Sequence, residues 1–132
     1  MIESIEYNDD GYKPLIDFES WRVAILNNNV NMKISDLEFM ERHMKTDEVF
    51  VLLQGQASLI QGEEAEQPKN LKLFEMKKNI YYNVKKATWH TVLMKKNTKI
   101  LIVENKNTSK GNSEYFNFTN LMLESLDKGE LL

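Results

Sequence analysis

Apolar residues occur along this chain in short runs, and Asn, Gly, Asp and Lys break the runs at close intervals. Trp21-Arg22-Val23-Ala24-Ile25-Leu26 is rich in strand formers and stops at Asn27-Asn28-Asn29. From Leu37 to Met44 the pattern alternates, which puts Leu37, Phe39, Glu41 and His43 on one face of a strand. After a bend at Thr46-Asp47, Glu48 to Gln54 is dense in β-branched and aromatic residues. Gln54-Gly55-Gln56 then turns the chain into Ala57–Gln61, a hairpin signal. Further strands are predicted at 71–76, 80–84, 88–94 and 99–104, with Lys77-Lys78-Asn79 and Lys95-Lys96-Asn97 in the turns between them.

The ends read differently. Residues 1–20 are mixed and polar, with turn signals at Asp9-Asp10-Gly11 and Pro14, and are expected to form an irregular lead-in. Residues 62–70 form an acidic loop containing Pro68, and a polar stretch, Asn105 to Glu114, precedes Tyr115-Phe116-Asn117-Phe118. Thr119 to Leu132 reads as a helix capped by Thr119 or Asn120, with Leu121, Met122 and Leu126 on one side. The expected organisation is one domain: lead-in 1–20, barrel 21–118, helix 119–132. Short, regularly spaced strands with a single late helix predict an all-β sandwich or barrel, and the lack of strand–helix alternation argues against a parallel α/β sheet.

Composition narrows the chemistry. The 132 residues fit one compact core, and a net charge of -3 gives no basic face for nucleic acid. Cysteine is absent, which removes disulfides and thiolate chemistry. No apolar run approaches the roughly 20 residues of a membrane span, and the first residues have no signal-peptide pattern, so a cytoplasmic location is expected. No phosphate-cradling Gly loop and no Gly-x-Ser-x-Gly elbow is present.

With no cysteine, a transition metal would need imidazole and carboxylate ligands. The chain has two histidines. Glu41 and His43, two apart on a strand, aim into one space. Glu48 begins the next strand, where a hairpin returns it beside His43. His90 lies on Thr88-Trp89-His90-Thr91-Val92-Leu93 and shares a face with Val92 and Met94. A lone strand histidine is more often a hydrogen-bonded core residue than a ligand. Two inward carboxylates among Phe39, Phe50 and Leu52 tip the balance, because burial costs several kcal/mol each without a partner, and a cation or a ring-protonated histidine would supply the pairing. Two imidazoles and one carboxylate on one side of a metal leave positions open for catalysis, with Glu41 as a fourth ligand or a base.

The stretch Glu41 to Gly55 resembles the first motif of the cupin superfamily, His-x-His, three or four residues, Glu, six residues, Gly. His43 matches the second His, Glu48 the Glu and Gly55 the Gly, while Glu41 stands at the first His and Ser35 at the leading Gly. The second motif, Pro-x-Gly-x-x-His with a later Asn, is matched at His90, with Lys85, Ala87 and Met94 at its other positions. The resemblance covers roughly residues 20–105. It implies a cupin-type double-stranded β-helix, a jelly-roll barrel with a short C-terminal helix. It also implies a divalent metal (iron, manganese, nickel or zinc) on His43, Glu48, His90 and Glu41 within the barrel mouth.

Three function classes follow. The first is a metal-dependent enzyme on a small organic acid or sugar-like molecule, with His43, Glu48 and His90 holding the metal and Glu41 as a ligand or general base. The second is a metal-free ligand-binding or sensory cupin, and the third a structural or assembly domain. The expected partners are a small-molecule ligand and a second copy in a homodimer. Arg22, if it points inward, is a clamp for a substrate carboxylate, and Tyr82 is a candidate pocket wall. Arg42 alternates to the face opposite His43. Tyr81, Trp21 and Trp89 fit core or rim packing better than a site.

Overall fold

The computed structural model describes residues 1–127. Ten strands and one helix follow in order: β1 (Gly11–Phe18), β2 (Trp21–Asn28), β3 (Phe39–His43), β4 (Glu48–Gln54), β5 (Ala57–Gly62), β6 (Lys72–Glu75), β7 (Tyr81–Val84), β8 (Trp89–Met94), β9 (Thr98–Asn105), β10 (Ser113–Asn117) and α1 (Asn120–Asp127). They form two antiparallel five-stranded sheets, ordered β1-β2-β9-β4-β7 and β10-β3-β8-β5-β6. The sheets pack face to face as a jelly roll.

Period-two alternation fills the space between the sheets. Ala24, Phe50, Leu52, Leu59, Met94, Ile100 and Ile102 are buried there together. The outer face of the second sheet is buried as well. Met40, Ile60 and Trp89 point away from the sandwich and meet Met122 and Leu126 of α1. The Thr119 hydroxyl caps α1 by accepting the Met122 N–H at 3.2 Å.

Three expectations need correction. Residues 11–18 form strand β1 rather than an irregular lead-in, paired with β2 from Gly11↔Asn27 to Phe18↔Trp21. Pro14 suggested a turn, but β1 is a sheet edge, where a residue lacking an N–H is tolerated, and the register slips between Pro14 and Ile16. Phe39 does not join Glu41 and His43 inside: it sits at the outer start of β3, exposed, its ring edge-on to Tyr115 at 5.4 Å. On α1, Met122 and Leu126 are buried but Leu121 is exposed, because it lies one residue off the buried stripe. The helix spans Asn120–Asp127, and the expected continuation over 128–132 lies outside the described residues.

Gly55, the last residue of the first motif, is required by its backbone. Its φ is +86°, and a Cβ there would lie 2.6 Å from Thr98 Cα. This close approach seats the β4–β5 turn against the start of β9.

Candidate metal centre

Two strands of the second sheet and one of the first bring the ligands together. In the β3–β8 pair Glu41 stands directly opposite His90. His43 follows two residues later on the same face of β3, and Glu48 enters from β4 across the sandwich. The four side chains place one ligand atom each within 4.8 Å of one another. Glu48 bridges the two rings, with Oε2 3.3 Å from His43 Nε2 and Oε1 3.1 Å from His90 Nε2. Glu41 Oε1 lies farther out, 3.8 Å from His43 Nε2 and 3.9 Å from His90 Nε2. Glu48 and both histidines are buried, whereas the Glu41 side chain is one-third exposed, at 33%.

The turn before His90 keeps its shape without the motif glycine. Ala87, at that position, holds φ +65°, and its N–H donates to the His43 carbonyl at 2.8 Å. That bond ties the β7–β8 turn to the end of β3 and sets His90 against His43. Behind the rings, His90 Nδ1 is 2.9 Å from the Thr88 carbonyl oxygen, and His43 Nδ1 is 2.8 Å from Ser113 Oγ on β10. Phe50 lies edge-on to His90 at 5.9 Å.

A metal is tested by what the donor set lacks. His43 Nε2 is buried with no hydrogen-bond partner, although Glu48 Oε2 lies 3.3 Å away. An unsatisfied buried nitrogen facing two carboxylates is costly, and a cation would satisfy all of them. Two imidazoles with carboxylates suit iron, manganese, nickel or zinc. The residues fit the ion that the sequence implies.

Electrostatics extend the site to β9. Glu104 alternates inward after Ile100 and Ile102, is buried, and accepts a hydrogen bond from the Tyr12 hydroxyl. Burial and the adjacent Glu48 push its carboxyl up to about 8. Burial also pushes Glu48 up, but the two imidazoles and the Glu104 carboxyl outweigh it and hold Glu48 well below the usual carboxylate range. His43 is raised from 6.5: burial lowers it, and the Glu48 and Glu41 carboxylates more than offset that. Glu41 is raised from 4.5 by burial, partly countered by His90 and His43.

These shifts fix how stability depends on pH in metal-free protein. Between 4.5 and about 8 the folded state keeps the Glu104 proton that the unfolded chain releases, so stability falls as pH rises through that window. The His43 contribution has the same sign: it is fully present below 6.5 and lost as pH rises through the raised value. Glu48 acts in the opposite sense, losing its contribution as pH falls below 4.5. Thermal unfolding of chelator-treated protein should show a melting temperature lower by about 5 °C or more at pH 8 than at pH 5. Glu104→Gln, which keeps a neutral group there, should flatten most of that slope. A melting temperature constant or rising across the window would contradict it.

The quartet opens into a cavity of about 450 Å³, walled by Tyr12 and Arg22 on one side and by Thr108, Lys110, Ser113 and Tyr115 on the other. Arg22 does reach this wall, but its guanidinium is ion-paired with Asp17 at 2.8 Å. Tyr82 does not line this chamber. It walls a neighbouring cavity of about 530 Å³ that shares His90, and its hydroxyl accepts the Lys77 N–H at 2.8 Å. Arg42 lies on the outer face as expected, stacked 4.5 Å from the Trp89 ring. Glu104, Lys110 and Ser113 were not singled out by the sequence. For Glu104 a signal existed, the Ile100-Ile102-Glu104 alternation; Lys110 and Ser113 sit in the polar 105–114 stretch, which carries none.

Solved structures with this fold are distant in sequence. A cupin-2 domain containing protein from Shewanella frigidimarina is 19% identical, with a TM-score of 0.54 over 76% of this chain and 85% of that one. An RmlC-like cupin protein from Desulfovibrio desulfuricans is 12% identical, with a TM-score of 0.52 over 80% of this chain and 92% of that one. The Streptomyces protein Pac13, solved with uridine, is 8% identical, with a TM-score of 0.62 over 86% and 84%. These likenesses support the jelly-roll fold. No curated protein matches the chain, and no helix among the described residues is long and apolar enough to cross a membrane. The family model described as ureidoglycolate lyase matches residues 13–124, and with this fold and this motif the chain belongs to that family, within the cupin superfamily.

Proposed function

We propose that this protein is a divalent-metal-dependent enzyme that cleaves a carbon–nitrogen bond in a small α-hydroxy acid of the ureidoglycolate type. The observation that carries the reading is the converging quartet His43, Glu48, His90 and Glu41, with the His43 Nε2 left unsatisfied. His43, Glu48 and His90 would hold the metal, which when bound polarises oxygen groups of the substrate. Glu41 is the more exposed carboxylate, with its proton affinity raised, and serves as the base. It takes the hydroxyl proton as that oxygen forms a carbonyl and the carbon–nitrogen bond breaks. It then returns the proton to the departing nitrogen, so that an aldehyde acid and a urea leave.

The substrate's carboxylate needs a cation. Arg22, the residue expected to supply it, is already committed to Asp17. Lys110 lies on the opposite wall and has no ion pair among the described residues, which favours it as the clamp. Lys110→Ala should raise KM about tenfold with metal affinity unchanged, the loss expected for one charged hydrogen bond.

The central test is metal content of protein purified without chelator, followed by product release from ureidoglycolate. One ion per chain and metal-dependent turnover are expected. No stoichiometric binding of iron, manganese, nickel or zinc would sink the proposal. Binding without turnover would move it to the ligand-binding class.

A further inference from the structure

We infer that Ser113 is a positioning residue whose hydroxyl selects the tautomer of His43, and thereby whether His43 offers the site a lone pair or a proton. This rests on the metal-binding reading above. The two imidazoles are held from behind by different kinds of partner. His90 Nδ1 faces the Thr88 carbonyl oxygen at 2.9 Å. A carbonyl only accepts, so Nδ1 of His90 carries the hydrogen in either charge state of the ring, and Nε2, 3.1 Å from Glu48 Oε1, donates to that carboxylate when the ring is charged and is bare when it is neutral.

His43 Nδ1 faces a hydroxyl instead, at 2.8 Å. A hydroxyl donates or accepts by rotating about one bond. When Ser113 accepts, the His43 hydrogen sits on Nδ1 and Nε2 is a ligand. When Ser113 donates, the hydrogen moves to Nε2.

The surroundings of Nε2 decide which arrangement holds. Nε2 is buried without a hydrogen-bond partner, 3.3 Å from Glu48 Oε2 and 3.8 Å from Glu41 Oε1. A lone pair facing two carboxylates is unfavourable unless a cation lies between them. With no cation the hydrogen belongs on Nε2, and with one it belongs on Nδ1. Backbone pairing keeps the contact in place through both, since Ser113 stands directly opposite His43 in the β10–β3 ladder. Ser113 thus lets one ligand adapt while Thr88 fixes the other.

The test is ¹⁵N NMR of the imidazole nitrogens at a pH where both rings are neutral, in chelator-treated and zinc-loaded protein. His43 should change from the Nε2–H to the Nδ1–H tautomer on zinc loading, while His90 stays Nδ1–H in both states. Ser113→Ala should weaken zinc binding about 10- to 100-fold, the usual loss for a partner behind a ligand. Ser113→Thr, which keeps the hydroxyl, should restore it, and this rescue separates positioning from a folding defect. If wild-type protein binds zinc but His43 keeps one tautomer throughout, or Ser113→Ala binds zinc as tightly as wild type, this inference alone fails. If wild-type protein binds no zinc, the inference fails together with the metal reading.

Discussion

Glu48→Gln should abolish measurable metal binding while leaving a folded barrel. The carboxylate stands between the two imidazoles, 3.3 Å from one Nε2 and 3.1 Å from the other, and is nearly all buried. The amide preserves its shape and removes its charge. Two neutral nitrogens and the outlying Glu41 would then face the ion alone, so the loss should exceed the roughly 100-fold that a supporting partner costs. Glu41→Gln is the informative contrast. Its carboxylate sits farther from both rings and is partly open to solvent, so the change should cost little affinity but most of the turnover. Titration of both variants with zinc or manganese, followed by the turnover assay, separates ligand from base. Equal loss of affinity in both would assign Glu41 to the metal and leave the reaction without its base.

The fold was legible because a jelly roll needs little beyond alternation and turn residues. Gly55 could be matched by spacing alone, and the structure shows that its positive φ and its contact with Thr98 demand a glycine. His43, Glu48 and His90 were legible for the same reason: each sits at a fixed offset from a turn, so spacing translates into placement. What spacing did not carry was contact between distant strands. Ser113 reaches His43 through the β10–β3 ladder, and Lys110 enters the cavity on a loop whose path depends on that ladder. Arg22 shows the limit from the other side. Its strand and its approach to the cavity agree with expectation, but its pairing with Asp17 depends on β1 being a strand, which Pro14 concealed. The missing motif glycine at Ala87 is the reverse case. The residue changed, yet the left-handed turn it makes is still present, held by the bond to the His43 carbonyl.

The support for His90 comes from the residue before it, and Trp89→Ala should be the most destabilising single change. Trp89 is 2% exposed on the outer face of the second sheet. Its indole N–H donates to the Ala65 carbonyl at 2.9 Å, Arg42 covers its ring, and Phe116 meets it at 6.3 Å. Met122 and Leu126 of α1 complete the enclosure. Truncation would remove this packing, leave a cavity and take away one of the two donors to the Ala65 carbonyl, the other being Arg42 at 2.9 Å, at a cost of about 3–5 kcal/mol. That is a large part of the about 5–15 kcal/mol that holds a domain together, so the melting temperature should drop by about 10 °C or more. Trp89→Phe keeps most of the ring and should cost less than half as much. Because the side chain points away from the ligands, zinc affinity of Trp89→Phe measured well below its melting temperature should stay near the wild-type value. A Trp89→Ala protein that melts within about 2 °C of wild type would mean that α1 and the acidic loop do not brace β8, and that His90 is held by its own contacts with Thr88 and Glu48.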